Sequence, residues 1–218
     1  MLTLSFITGT EPDKWFRRFR DRTSQTELKV HASDDPLAEL IRGEVVLALT
    51  RIPDSRLDDT YHVVRLYQEQ VGVAFPSDHP LNLLDAVTPA ELDGEIVHTR
   101  YTEALKIEEI RTHLHTVAAN VGVVIAPRPM LKALSGARVA HRPLIESETP
   151  PTTIALVWLK SEDSDDIQDF VGIAKGRTSN SSRHTQPQRS AQQKARDKAK
   201  RRLASKRVPA KHNKRRSR

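Results

Sequence analysis

The sequence has 218 residues and contains no cysteine. Disulfide bonds, thiolate metal sites and cysteine nucleophiles are therefore excluded. No stretch approaches the roughly 18 consecutive apolar residues that a membrane-spanning helix needs. The N-terminal segment MLTLSFITGT has no positive charges ahead of its short apolar run, which indicates a strand rather than a signal peptide. We therefore expect a cytoplasmic protein that does not bind a membrane.

The sequence also lacks the patterns that usually mark catalysis. It contains no GxSxG nucleophile motif, no glycine-rich phosphate-binding loop and no HExxH zinc motif. His113 and His115 are two positions apart on a predicted helix, so they point to different faces and cannot chelate one metal ion. We predict no catalytic residue, no metal site and no cofactor, and a binding protein rather than an enzyme.

Charge is divided unevenly along the chain. The 35 lysines and arginines outnumber the 28 acidic residues, giving a net charge of +7. Sixteen of the basic residues follow Gly176, where Asp197 is the only acid, so residues 177–218 carry +15. Residues 1–176 keep 19 basic and 27 acidic side chains and carry −8. The sequence therefore predicts an acidic domain followed by a strongly basic tail.

The tail, residues 177–218, contains no Phe, Trp, Tyr, Ile or Met. Such a segment cannot bury enough surface to offset its ordering entropy, so we predict that it is disordered when free. Its charge suits nucleic acid, most simply DNA, through salt-sensitive contacts that are independent of base sequence. The predicted nucleic-acid-binding residues are Lys194, Arg196, Lys198, Lys200, Arg201, Arg202, Lys206, Arg207, Lys211, Lys214, Arg215 and Arg216.

Other partners for the tail stay open. An anionic membrane is disfavoured because apolar anchors are missing. The acidic domain of the same chain could hold the tail by charge, RNA could replace DNA, and the tail could serve only to keep the protein in solution.

The first 52 residues alternate between apolar strands and amphipathic helices. We predict strands at residues 2–7, 28–31 and 45–52, separated by helices that end near residues 22 and 42. This alternation is typical of βαβ units and of a parallel sheet that is covered on both faces. Right-handed crossovers place the strand-to-helix turns at the carboxyl edge of such a sheet. The residues expected to converge there are Thr8, Gly9, Thr10, Ser33 and Arg51.

The remaining residues predict a longer α/β domain. Further strands are expected at residues 63–66, 71–75, 123–126, 139–144 and 154–159. Further helices are expected at residues 88–92, 105–119, 127–134 and 164–174.

Several of these segments resemble, in order and spacing, the effector-binding domain of LysR-type transcription regulators. The matching stretches are LTLSFITGTEPDKW, LAELIRGEVVLALTRI, LYQEQVGVAFPSDHPL, AVTPAELDGE, TVAANVGVVIAPRPML, VAHRPL, TIALVW and FVGI. The resemblance covers nearly all of residues 1–176. It implies a two-lobed, type II periplasmic-binding-protein-like fold with mixed sheets, a small-molecule effector in the cleft, and a homodimer.

The resemblance also implies domain boundaries. Lobe I would comprise residues 1–76 and 150–176, lobe II residues 77–149, and the tail residues 177–218. Two departures stand out. The family's regulators begin with a winged helix-turn-helix, whereas here Met1 lies almost at the first strand. Lobe II also looks shortened, since residues 95–105 leave little room for a strand and a helix.

The resemblance places Thr8, Gly9, Thr10, Ser33 and Arg51 where the family's effector-contacting residues are found. Helix N-termini favour anions, and a guanidinium can bind a carboxylate in bidentate fashion. Asp34 and Asp35 directly after Ser33 argue for a neutral or cationic ligand instead. In a second interpretation, Thr10 and Ser33 only cap helices and Arg51 forms a structural ion pair. A protein that pairs with other LysR-type regulators without an effector remains a further alternative.

Overall fold

The computed structural model describes residues 1–23 and 25–176, whose apolar runs form strands as the sequence predicts. The strands are β1 (Leu2–Ile7), β2 (Leu28–Ser33), β3 (Leu47–Ile52), β4 (Tyr61–Gln68), β5 (Val71–Pro76), β6 (Val97–Arg100), β7 (Val123–Pro127), β8 (Val139–Pro143) and β9 (Thr153–Leu159). The α-helices are α1 (Asp13–Arg22), α2 (Pro36–Ile41), α3 (Ile107–Val117), α4 (Arg128–Leu134) and α5 (Asp165–Ala174). Short 3-10 helices cover Pro80–Leu83, Pro89–Leu92 and Lys160–Glu162.

The first sheet has the strand order β2-β1-β3-β9-β4. Strand β1 is parallel to both β2 and β3, whereas β9 runs antiparallel to β3 and β4. Every residue of β3 is buried, because helices cover both faces of the sheet. This explains why its sequence is an almost continuous apolar run rather than an alternating one.

Helices α1 and α5 cover one face of the first sheet, and α2 covers the other. Phe16 and Phe19 of α1 pack against Phe170 of α5, with ring centroids 6.1 and 5.7 Å apart. On the opposite face, Leu37 and Leu40 of α2 pack in a separate cluster with aliphatic residues of β3 and β9. Each such fully buried Leu or Phe stabilises the fold by roughly 1.5–3 kcal/mol.

The second sheet has the order β6-β7-β5-β8. Strand β5 pairs antiparallel with β7 and β8, and β6 is parallel to β7. Its buried strand β7 is followed directly by α4, and α3 packs against β5, β6 and β7. The fold is therefore the predicted α/β arrangement of two mixed sheets.

Two details of the sequence-based description need correction. Residues 71–76 were assigned to the first lobe, but β5 is the central partner of β7 and β8 in the second sheet. The chain therefore leaves the first sheet at Glu69 and Gln70, six residues earlier than predicted. Residues 95–105 also hold a strand, β6, which is short but pairs with β7. Its four residues were missed because they include only one large apolar side chain.

The chain passes between the sheets twice, through residues 69–70 and residues 144–152. These two connections touch, because the backbone N–H of Glu69 donates to the carbonyl oxygen of Thr152 at 2.9 Å. No helix in the described part of the chain is long and apolar enough to cross a bilayer.

Candidate functional site: the cleft between the sheets

The carboxyl ends of β1, β2 and β3 meet at one edge of the first sheet, as predicted. The backbone N–H of Thr8 donates to the carbonyl oxygen of Ser33 at 3.0 Å. The Arg51 guanidinium reaches the same turn and donates from Nη1 to the carbonyl oxygen of Thr8 at 3.0 Å. Three turns that are far apart in sequence therefore form one surface that faces the second sheet.

Arg51 is held by a carboxylate that the sequence did not suggest. Its Nε and Nη2 donate to the two carboxylate oxygens of Glu69 at 2.7 and 3.0 Å. The side chains are 2% and 0% exposed, and Thr152 Oγ1 donates to the same carboxylate at 2.8 Å. The structure thus contains the ion pair of the second interpretation, and the bidentate face of Arg51 is taken up by Glu69.

Thr10 and Ser33 do not cap helices, contrary to one of the sequence-based interpretations. Thr10 Oγ1 donates to the carbonyl oxygen of Ile7 at 2.8 Å, and α1 begins three residues later. Ser33 is the last residue of β2, and its hydroxyl donates to Glu39 at 2.6 Å. The cap of α2 is Asp35, which accepts from the backbone N–H of Ala38 at 3.1 Å. Local sequence offers several Ser, Thr and Asp candidates for each cap, and the exact start of the helix decides among them.

Glu39 joins this surface from α2. Besides Ser33, it lies 2.7 Å from His31 Nε2, and its side chain is only 16% exposed. Burial raises the pKa of Glu39, but hydrogen bonds from Ser33 and His31 outweigh that effect and leave the pKa below its usual value. The carboxylate therefore stays ionised and keeps the Ser33 hydroxyl turned toward α2.

Gly9 is the point where the first sheet touches the second lobe. It has a φ of +96°, and a Cβ atom there would lie 2.8 Å from both the Cα and the backbone nitrogen of Met130 in α4. It would also lie 3.0 Å from Nη2 of Arg51. Only glycine combines this left-handed conformation with such a close approach. Two cavities between the lobes lie near this contact, each lined by residues of both lobes.

The larger cavity, which we call the Tyr67 cavity, has a volume of about 660 Å³. Its walls include Trp15, Tyr67, Gln70, Arg128, Lys132 and His141, in addition to Gly9 and Thr10. Three lysines and arginines face two glutamates along its lining. Both glutamates are engaged, Glu69 with Arg51 and Glu11 with Lys132 at 2.9 Å. The cavity therefore has a positive balance.

The second cavity, which we call the Asp34 cavity, has a volume of about 530 Å³ and the opposite balance. Five acidic residues and three basic ones line it, and the acidic residues are Asp34, Asp35, Asp54, Glu103 and Glu108. Arg56 bridges two of the carboxylates at 2.7 and 2.6 Å. Burial raises the pKa of Asp54, but its hydrogen bonds with Arg56 outweigh this and lower the pKa overall.

Two exposed ion pairs also join the lobes across the cleft. Arg111 of α3 lies 2.9 Å from Asp34, and Lys132 of α4 lies 2.9 Å from Glu11. Because both pairs are open to solvent, each contributes little to stability. They can break at small cost if the lobes move apart.

Arg128, His141, Tyr67 and Glu69 were not among the predicted site residues. Arg128 could have been found, because Pro127 ends β7 and Arg128 begins the following helix. The rule that directed attention to Thr8 applies equally to the carboxyl end of this strand. Tyr67 and Glu69 lie where the chain leaves the first sheet, and no sequence motif marks them.

The predicted nucleic-acid-binding residues between Lys194 and Arg216 lie outside the described residues. Within residues 1–23 and 25–176, no three His, Asp or Glu side chains come close enough to hold a metal ion together.

Comparison with known proteins points to one group of regulators. Residues 13–100 match the family model of the LysR substrate binding domain. The Hca operon transcriptional activator HcaR of Escherichia coli (strain K12) is 27% identical over 203 aligned residues, which cover 81% of this chain and 67% of that protein.

Solved structures agree at the level of the fold. A mutant of the OxyR regulatory domain from Pseudomonas aeruginosa superposes with a TM-score of 0.56 at 18% identity, covering 83% of this chain and 98% of that one. The BenM effector binding domain with its effector benzoate gives a TM-score of 0.58 at 14% identity, covering 81% and 94%.

Proposed function

We propose, from the match of residues 13–100 to the LysR substrate binding domain family and the similarity to HcaR, that this chain is a non-enzymatic transcriptional regulator or accessory factor that binds a small-molecule effector. The observation that carries the proposal is that two cavities near the contact between Gly9 and Met130 are each lined by residues of both lobes. A ligand in either cavity would touch both lobes and so favour one relative position of the two over another.

We further propose that Thr8, Gly9, Thr10 and Ser33 form the part of the ligand site contributed by the first sheet. Arg51 would act there mainly through the turn, since it fixes the carbonyl group of Thr8. The buried Glu69 keeps Arg51 in place. The neighbouring ion pairs across the cleft are exposed, so ligand-driven movement of the lobes would meet little resistance.

A thermal-shift screen of carboxylates, amines and neutral aromatic compounds against the full chain tests the effector proposal. We expect at least one class to raise the unfolding temperature. Thr10→Val, which removes a hydroxyl from the lining of the Tyr67 cavity while keeping the size of the side chain, should weaken that ligand about tenfold, the cost of roughly one hydrogen bond. Thr112→Val is the matched control, because Thr112 is an exposed threonine on α3.

If no compound of the panel raises the unfolding temperature, the effector proposal is contradicted. That result would leave the alternative that the domain pairs with other LysR-type regulators without an effector. The engagement of Arg51 by Glu69 is the observation that favours this alternative. Co-purification with a full-length LysR-type regulator, in the absence of any ligand, would then be the supporting result.

We also propose that residues 177–218 give the protein affinity for nucleic acid in the cytoplasm, and that the domain forms homodimers. The support is the charge of +15 on the tail against −8 on residues 1–176. Duplex DNA should bind the full chain but not a version that ends at Gly176. Equal binding by both, or by neither, would contradict the tail proposal, and ribosomal RNA as a competitor distinguishes DNA from RNA.

The homodimer proposal is tested separately by sedimentation equilibrium, which measures the oligomeric state.

A further inference from the structure

The Tyr67 cavity contains an arginine, Arg128, whose charge is not paired with a carboxylate in the described part of the chain. Arg128 donates no side-chain hydrogen bond and forms no ion pair within the described residues, and its Nε is buried without a partner. It lines the cavity and is only partly exposed. Most arginines in such places are paired, because a partly buried charge without a partner is costly. An anion in the cavity would supply that partner.

The backbone holds Arg128 in position before any ligand arrives. Its N–H donates to the carbonyl oxygen of Gln70 at 2.8 Å, at the point where the chain crosses between the sheets. Its side-chain stem lies against the bare backbone of Gly72 in β5, where a Cβ atom would be 2.9 Å from Arg128 Cβ and 3.2 Å from its Cγ. A receptor group that is fixed in advance loses little freedom on binding.

Among the described residues, no unpaired carboxylate lines the cavity beside Arg128. Burial lowers the pKa of the neighbouring His141, and the charges of Arg128, Arg142 and Lys132 lower it further. Lys14, which is exposed on α1, also lines the cavity and has no ion-pair partner in the described part of the chain. Both glutamates of the lining are already paired. An anion would therefore be attracted to this cavity and repelled by the acidic Asp34 cavity.

The same cavity has apolar surface for the body of a ligand. Trp15 and Tyr67 both line it, together with Pro12 and Pro129. Tyr67 is 41% exposed, which is unusual for a residue of its size in a strand. Aromatic side chains beside a small number of charged groups are typical of pockets that bind small organic molecules, and a volume of about 660 Å³ lies within the usual range of such pockets.

We propose that the Tyr67 cavity binds an organic carboxylate with an aromatic or other apolar body, and that Arg128 is the residue that recognises the carboxylate. This inference deepens the proposed function, since it names the class of effector and the side of the cleft that takes it. The Asp34 cavity is assigned no anion.

Trp15 makes the location of binding measurable. The protein has two tryptophans. Trp158 is buried in the first sheet beside His62, whereas Trp15 lines the Tyr67 cavity. A ligand in this cavity should change the fluorescence of Trp15, and the change should be absent in Trp15→Phe. A fluorescence change that persists in Trp15→Phe would place the ligand elsewhere and overturn the assignment.

The charge of the ligand is tested with probes of one shape. The full chain is titrated with benzoate, benzamide and benzylamine, which differ mainly in charge. We expect binding of benzoate, at least tenfold weaker binding of benzamide, and none of benzylamine. Equal binding of benzoate and benzamide, or a preference for the amine, would overturn the inference while leaving the proposed function intact. If neither these probes nor any compound of the wider panel binds, the result counts against both the carboxylate inference and the proposed function.

The role of Arg128 is tested with Arg128→Gln and Arg128→Lys. The first keeps a hydrogen-bonding side chain but removes the charge, and should weaken benzoate at least tenfold. The second keeps the charge and should restore part of the affinity, which shows that loss of folding is not the cause. Arg65→Gln, at an exposed arginine of β4 outside both cavities, is the control. Equal affinity of Arg128→Gln and Arg65→Gln for benzoate would overturn the proposal.

Discussion

Arg51 and Glu69 form a fully buried ion pair at the point where the chain passes between the two sheets. Each partner also has a further hydrogen bond, Arg51 to the carbonyl group of Thr8 and Glu69 from the hydroxyl of Thr152. Taking two charges out of water is costly, and the pair is stable only because almost every donor and acceptor is satisfied. The pair links the turn after β1 to both crossovers, so it fixes the geometry of the cleft at this point.

Removing one partner of this pair should be strongly destabilising. Glu69→Ala leaves the Arg51 charge buried without a partner and should lower the free energy of unfolding by about 3–5 kcal/mol. Arg51→Met combined with Glu69→Leu should recover much of that loss, because no charge is left unpaired. Urea unfolding of the single and double variants measures both effects. The exposed pair of Arg42 and Glu44 is the control, and Glu44→Ala should leave the unfolding midpoint almost unchanged.

Glu39 should make stability depend on pH. Its pKa lies below the usual value of 4.5 in the folded protein, so its stabilising contribution is present above about pH 4.5 and is lost as the pH falls through the folded pKa. The stability advantage of the natural protein over Glu39→Gln should therefore be largest near neutral pH and shrink in acid. Urea unfolding from pH 7 to pH 3.5 tests this. Thr112→Val, at an exposed threonine of α3 that carries no titratable group, should show no such trend.

At the scale of elements, the turn after β1 and the start of α4 determine how closely the lobes approach. Gly9 and Gly43 both have a positive φ, of +96° and +71°. They differ in their surroundings, because nothing lies within 4 Å of a Cβ at Gly43 whereas α4 blocks one at Gly9. The two glycines therefore separate backbone strain from steric contact between elements.

Gly43→Ala should cost about 1 kcal/mol of stability through the left-handed backbone alone. Gly9→Ala should cost a further 1–3 kcal/mol, roughly the penalty for overpacking, because α4 must move away. Urea unfolding measures the difference, and Gly9→Ala should also weaken any effector found in the screen. Equal costs for the two variants would show that the contact between Gly9 and Met130 carries no energy.

At the scale of the whole molecule, the two parts of the chain have opposite charge. Residues 1–176 contain every strand and helix of the described part of the chain and carry −8, and residues 177–218 carry +15. The compositions suggest separate tasks, with the domain for a ligand and the tail for a polyanion. A tail of this charge suits phosphates, but contacts with phosphates do not distinguish one base sequence from another.

A version that ends at Gly176 should unfold at the same temperature as the full chain, to within about 2 °C, because the tail has almost no large apolar residues to bury. Differential scanning calorimetry in moderate salt measures this. A midpoint that drops by much more than 2 °C on truncation would show that the tail supports the domain.

The affinity of the full chain for duplex DNA should fall steeply between 50 and 200 mM salt, as counterion release requires.

Much of the fold could be predicted because its elements are encoded locally. The apolar runs of β1 and β3 and the helical spacing of Ile107, Ile110 and Leu114 place each element within a few residues. Strand β6 was missed because its residues Val97–Arg100 lack the apolar pattern, and it owes its existence to pairing with β7. The boundary of the second lobe was misplaced for a related reason, since the apolar sequence of a buried strand does not indicate which of the two sheets the strand joins.

The sequence by itself determined the α/β class, the resemblance to LysR-type effector-binding domains, the absence of disulfides and the separation of charge, because these depend on composition and on neighbours along the chain. It also brought Thr8, Ser33 and Arg51 to one edge through the rule for parallel strands. Only the tertiary structure paired Arg51 with Glu69, brought Gly9 against Met130 and left Arg128, beside Tyr67, without a partner among residues 1–23 and 25–176. These relations join residues 18 to 121 positions apart, and they follow from how two sheets meet rather than from any local pattern.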